Sequence, residues 1–335
     1  MPPSQPSRAR TRNGFSFSGY KPDFSYSRSS ALAVGFDGLV SLMTNSRLMR
    51  WVNKSAGARL SGGWLLLLCL VLMPADAIVI RHDTGYTRYF ASEADYPGVF
   101  PLSRQGRRKV CVATLVAPQW ALTAAHCLTE TPIQETLAAG GVFAVEINRQ
   151  SHVIDALYQH PGWPGAGSAR LLPQQTDLAL LHLATPASAS AVIGLYRGDQ
   201  EQAQTMTFLG WGFTGIGTTG TAAADGRLRF AQNTVERAAE RLRFEFDDPR
   251  DTEATALEFE GIPGLDDSGG PALISEEGVM QLAGIAVGEL THQADRTGRY
   301  GAVVVYERIS RHLDWIDAQV KGEWSAPETP DLATD

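Results

Sequence analysis

Beyond residue 77 the chain is a succession of short apolar runs broken by Gly, Pro and Asp, the pattern of strands joined by turns. The runs predict strands over Val112–Val116, Trp120–Thr123, Val142–Ile147, Leu178–Leu183, Thr207–Trp211, Leu282–Val287 and Ala302–Tyr306. Only near the end does the period change. Ile309, Leu313, Ile316 and Val320 recur at spacings of four, three and four, which marks one face of a helix packed on a core. An all-β body with a C-terminal helix follows.

The flanks read differently. Residues 1–48, rich in Ser, Arg, Gly and Pro, show no hydrophobic period, so they are expected to be unstructured or to reflect a start placed too far upstream. In 49–77, Arg50, Lys54 and Arg59 precede an apolar run from Trp64 to Met73 and then Pro74-Ala75-Asp76-Ala77, the layout of a signal peptide. The run falls short of the roughly 20 residues a bilayer span needs, so no stable membrane span is expected. Small residues at Ala75 and Ala77 favour removal over retention as an anchor, and cleavage after Ala77 would open the mature chain at Ile78-Val79. The predicted location is secreted or periplasmic. The folded domain is expected over 78–320, with an internal boundary near 190–205 and a disordered tail over 321–335.

Charge narrows the partners. Residues 1–77 hold nine Lys/Arg against three Asp/Glu, so residues 78–335 hold 20 against 33, a net of -13. A body that acidic argues against non-specific binding to nucleic acid. The basic triplet Arg107-Arg108-Lys109 reads as a solvated loop. Of three cysteines, Cys69 lies in the segment expected to be removed. Cys111 and Cys127 remain, reading as one disulfide in an exported protein and as two free buried thiols in a cytosolic one. No C-x-x-C or H-E-x-x-H occurs, so no metal site is expected. Gly210, Gly212 and Gly215 spell G-x-G-x-x-G, but Gly217-Thr218-Thr219-Gly220 is a poor helix start, which disfavours a dinucleotide site.

Three segments fit one reaction: Thr123-Ala124-Ala125-His126-Cys127, Thr176-Asp177-Leu178-Ala179-Leu180-Leu181 and Asp266-Asp267-Ser268-Gly269-Gly270-Pro271. A hydroxyl is a poor nucleophile at neutral pH and needs a base within reach and a third group to orient that base. Alone, Asp177 would equally read as a turn residue opening a strand. Together, in the order His, Asp, Ser, these segments resemble the trypsin-like (chymotrypsin-fold) serine peptidases from Ile78 to about Val320. The resemblance implies two antiparallel Greek-key β-barrels with the site between them. It implies Ser268 as nucleophile, His126 as general base, Asp177 as its orienting acid, and a Cys111–Cys127 bridge. The implied oxyanion hole is the backbone N–H groups of Asp266 and Ser268, and the implied N-terminal ion pair is Ile78 with Asp267. No cofactor is implied, and the partners are protein or peptide substrates.

The chain departs from the family pattern at several positions. Val112 and Ala113 stand where glycines are usual, a packing change. Asp266 stands where the family has glycine, and a carboxylate beside a developing oxyanion would repel it. Reduced or substrate-restricted activity is therefore expected, with a catalytically impaired binding protein on the same fold as the alternative. In the specificity pocket, Ile262 falls where trypsin-type members place an Asp, which favours small or apolar primary residues. Glu289 at the pocket mouth would reverse that by attracting a cation.

Overall fold

In the computed structural model, residues 78–104, 108–165, 174–290 and 297–322 are described. The segments 1–48 and 49–77 and, apart from Lys321 and Gly322, the tail 321–335 lie outside them.

Strand β1 (Ile78–Ile80) opens this part of the chain. A six-stranded antiparallel sheet follows, built from β2 (Val99–Arg104), β3 (Arg108–Ala117), β4 (Trp120–Thr123), β5 (Phe143–Ile147), β6 (Gln150–Gln159) and β7 (Ala179–Leu183) in the order β2-β3-β4-β7-β6-β5. Short helices α1 (Cys127–Glu130) and α2 (Ile133–Ala138) link β4 to β5. The second half begins with β8 (Thr205–Gly210), β9 (Thr214–Ile216), β10 (Gly220–Thr221) and β11 (Arg229–Thr234). It continues through β12 (Arg237–Ala238), β13 (Arg241–Glu245), β14 (Gly261–Ile262), β15 (Pro271–Glu276), β16 (Val279–Leu290) and β17 (Val303–Arg308). Seven of these form the sheet β11-β8-β15-β16-β17-β13-β12, and β10-β9-β1-β14 form a smaller one that draws the N-terminal strand into the second half. Both large sheets are curled, giving the two-barrel all-β architecture.

The seven predicted strands coincide with β3, β4, β5, β7, β8, β16 and β17 to within a few residues. The predicted helical face is also present, with a difference at its start. Ile309 sits in a 3-10 turn (Ile309–Arg311), and helix α3 runs Leu313–Lys321. Gly322 ends it at φ 72°, its N–H donating to the carbonyls of Ala318 and Gln319, a left-handed cap that glycine adopts without steric penalty. Ile309 and Ile316 are fully buried against the first-barrel core. Among the described residues no helix is long and apolar enough to cross a membrane.

Arg108 and Lys109 are not in a solvated loop. They open β3, where Arg108 pairs with Asp266 and the Lys109 ammonium donates to the Gly226 carbonyl (2.8 Å) over the Trp211 ring. Arg107 lies outside the described residues; Arg108 and Lys109 looked solvated because their hydrogen-bond partners lie more than 100 residues away, out of reach of any local pattern.

The second barrel's core is aromatic. Phe208 stacks on Tyr306 with centroids 4.9 Å apart and meets Phe244 edge-on at 4.8 Å, all three fully buried. Such pairs contribute about 0.5–1.5 kcal/mol beyond the area they bury. Phe208→Ala is therefore expected to destabilise the protein by about 3–5 kcal/mol in denaturant unfolding, and a loss near zero would show that this cluster does not hold the barrel.

Candidate active site

Strand β4 delivers its C-terminal end into the site. After Thr123, the fully buried Ala124 and Ala125 carry the chain into His126, whose helical backbone (φ −62°, ψ −26°) starts α1. The turn is tied by a disulfide between Cys111 in β3 and Cys127, with Cα atoms 6.0 Å apart. Closing a loop of this length contributes about 3 kcal/mol in the chain-entropy picture. The bridge settles the state of the two cysteines. It also bears on metal binding, because Cys111, His126 and Cys127 form the grouping of ligand-type side chains found among the described residues. With both sulfurs spent in the bridge, no thiolate is left to hold an ion.

Asp177 precedes β7 and is 2% exposed. One carboxylate oxygen accepts the His126 backbone N–H at 2.9 Å, and the other lies 2.5 Å from His126 Nδ1. Both the position and the tautomer of the ring are thereby set, leaving Nε2 as the acceptor. The Asp177 N–H in turn donates to Glu307 Oε1 at 2.9 Å. Glu307, on β17, also receives Arg241 Nε at 2.8 Å and lies 3.6 Å from His312 Nε2. Burial alone would favour the neutral Glu307, but His312, Arg241 and the Asp177 N–H together lower its pKa. Sequence reasoning missed this residue; the signal was a charged side chain at the end of an apolar strand.

Ser268 lies on the turn before β15. Its carbonyl accepts the Val112 N–H at 2.8 Å and is 3.5 Å from Cys127 Sγ, so the turn abuts the strand and bridge that hold His126. Gly269 adopts φ 78°, and a Cβ there would lie 2.3 Å from the Val112 carbonyl oxygen, so only glycine fits. The structure brings His126 and Asp177 into direct contact and Ser268 to the adjoining turn. Among the described residues no hydrogen bond joins Ser268 Oγ to His126, and such bonds often tighten only when substrate binds. The N–H groups of Asp266 and Ser268 likewise donate to no described residue. Asp266 is at φ 70°, a region that Asp tolerates better than most residues with a Cβ.

Asp267 points the other way, into the second barrel. Its carboxylate accepts the N–H groups of Gly212 (2.6 Å) and Gly264 (2.9 Å), and the nearby Ile78 backbone helps to lower its pKa. Burial pushes its pKa up to about 7 against these donors. Ile78 is fully buried, with its carbonyl accepting Thr214 Oγ1 at 2.6 Å. The glycine motif serves this carboxylate: a Cβ on Gly210 would lie 2.0 Å from Asp267 Oδ1 and one on Gly212 2.1 Å from the Leu265 carbonyl oxygen. Strand β9, not a helix, follows it.

Ile262, on β14 opposite Val79, is fully buried in the apolar cluster of the second barrel. Glu289 pairs with Val304 across β16 and β17. Its Oε2 accepts the Gly298 N–H at 3.0 Å, Oε1 is buried without a partner among the described residues, and burial pushes its pKa up to about 7.

Burial opposes a charge on His126, but the Asp177 carboxylate outweighs it and raises the imidazole pKa above the ordinary 6.5. The pair therefore stabilises the fold fully below about pH 6.5, and that increment is lost as pH rises through the raised value. In an NMR titration His126 is expected to titrate above 6.5, and Asp177→Asn to lower its midpoint; an unchanged midpoint would contradict the coupling.

The sequence matches the Trypsin family over residues 89–316. An uncharacterized peptidase of Corynebacterium glutamicum (strain R) is 27% identical over 224 residues, covering 65% of this chain and 66% of that protein. Vitamin K-dependent protein C of Oryctolagus cuniculus is 26% identical over 258 residues, covering 70% of this chain and 52% of that protein. The chain thus spans just under two thirds of the bacterial relative and about half of the other. Among solved structures, neuropsin, a serine protease expressed in the limbic system of mouse brain, shares the fold with a TM-score of 0.50 at 19% identity, over 69% of this chain and 98% of its own.

Proposed function

The chain belongs to the trypsin family of serine peptidases, and on that premise we propose that it is a secreted or periplasmic endopeptidase using Ser268, His126 and Asp177. His126 Nε2 takes the proton of Ser268 Oγ as that oxygen attacks the substrate carbonyl carbon. Asp177 stabilises the imidazolium that results. The N–H groups of Asp266 and Ser268 receive the oxyanion of the tetrahedral intermediate. His126 then gives its proton to the leaving amine, and water, deprotonated by the same ring, releases the acyl group from Ser268. The reading is carried by the partly buried His126–Asp177 pair, 2.5 Å apart, beside the turn on which the partly exposed Ser268 lies.

Ile78 is assigned as the mature N-terminus, paired with Asp267. A β-branched residue at φ 61° with a chain before it is sterically disfavoured, and cleavage after Ala77 removes that clash. The new ammonium would hold ionised a carboxyl whose burial otherwise pushes its pKa up to about 7. For specificity, an apolar Ile262 in place of an acid argues against basic primary residues, although the side chain itself is fully buried in the core, and one oxygen of the Glu289 carboxyl is engaged by Gly298.

A fluorophosphonate is expected to label the protein and to leave Ser268→Ala unlabelled; no labelling of the parent would overturn the peptidase reading. N-terminal sequencing of active protein is expected to read Ile-Val-Ile-Arg, and an active form starting well upstream would remove Ile78 from its role. The ammonium, with an unperturbed pKa near 8, is raised by its carboxylate partner, so activity is expected to fall as pH climbs through that higher value.

A further inference from the structure

A carboxylate at the rim of an oxyanion hole works against the charge that the hole exists to stabilise. In this chain the Asp266 carboxylate is already occupied. Arg108 Nε donates to its Oδ2 at 3.0 Å, and a terminal nitrogen of the same guanidinium lies 3.2 Å from Oδ1 and 2.9 Å from Oδ2. The Asp266 side chain is 15% exposed and that of Arg108 60%, so the guanidinium caps the carboxylate from the solvent side. Glu130 and the buried Asp267 add negative charge around Asp266, and Arg108 is the cation that answers it.

The tether has a definite origin. Arg108 opens β3, Cys111 of the same strand is bridged to the residue after His126, and the N–H of Val112 holds the Ser268 carbonyl. One strand end therefore grips both residues whose N–H groups face the oxyanion, Ser268 through its backbone and Asp266 through its side chain. An exposed ion pair adds little to stability. Its effect here is on the local field and on where the carboxylate points.

We propose that Arg108 is a positioning residue of the oxyanion hole, drawing the Asp266 carboxylate off the site of developing charge and cancelling its field so that a residue other than glycine can serve there. The proposal rests on the peptidase reading above.

The test is a double-variant comparison on the full chain, with kcat and KM measured on a peptide amide and active sites counted with a fluorophosphonate. Loss of one oxyanion donor in a serine protease lowers kcat by about 10²–10³-fold, so Arg108→Ala is expected to lower kcat by roughly 10–10²-fold. Because the effect arises in the transition state, KM should move by less than about threefold. Arg108→Lys, which keeps the charge without the two-pronged geometry, should fall between. In an Asp266→Gly background the same Arg108→Ala change should matter by less than about twofold, because the carboxylate that needs restraint is gone. Equal losses in both backgrounds, or no loss in the parent background, would overturn the proposal. Should Arg108→Ala fail to fold, Arg108→Gln gives the same comparison with nearly the same bulk. A parent protein that reacts with no fluorophosphonate overturns the peptidase reading itself; a parent that reacts, with variants that show no coupling, overturns only the role of Arg108.

Discussion

The arrangement depends on one carboxylate sealed inside the second barrel. An ionised Asp buried without partners would cost several kcal/mol, so Asp267 is tolerable only where N–H groups converge on it. Gly212 and Gly264 supply them, from two different stretches of chain, and the Ile78 backbone adds to their effect. The constraint runs outward from there. Gly210 must lack a side chain to leave room for the carboxylate, and Gly270 N–H bonds back to the Asp267 carbonyl at 3.0 Å. Ser268, next in sequence, inherits its position from a neighbour that faces away from it.

A second tier of charge supports the acid of the site. Asp177 belongs to the first barrel, yet its N–H is held by Glu307 on β17 of the second. Glu307 is balanced by Arg241 on the adjoining β13, the two strands being paired from Arg241 opposite Glu307 to Glu245 opposite Val303. The His126–Asp177 pair is therefore registered against both barrels, and β17 carries this load beside Tyr306, whose ring fills the aromatic core. Packing and electrostatics meet on a single strand.

Much of this was legible from local pattern. Strands such as β4 and β7 are apolar runs of the right length, and the segments around His126, Asp177 and Ser268 stand out because the chemistry demands particular residue types in tight contexts. What stayed hidden has physical reasons. In β6 the side chains of His152 and Ile154 are buried while Val153 is 36% exposed, so polarity and burial run out of phase over part of the strand. β13 does alternate, with Leu242 and Phe244 buried between Arg241, Arg243 and Glu245, but two apolar positions are too few to stand out as a run. Arg108 and Glu307 were missed because their meaning lies in partners 158 and 130 residues away. Local sequence carries a side chain's propensity, whereas a compensating charge pair exists only once the chain has folded.

The bridge between Cys111 and Cys127 has a consequence for where such a molecule can work. It is the covalent link between the strand that braces Ser268 and the turn that presents His126. With both sulfurs as thiols, the cross-link would be lost and those two parts of the site would be held only by the intervening chain, hydrogen bonds and packing. The spacing between Ser268 and His126 would then depend on the redox poise of the surroundings, and reductants would leave those two side chains more loosely held than an oxidising environment does.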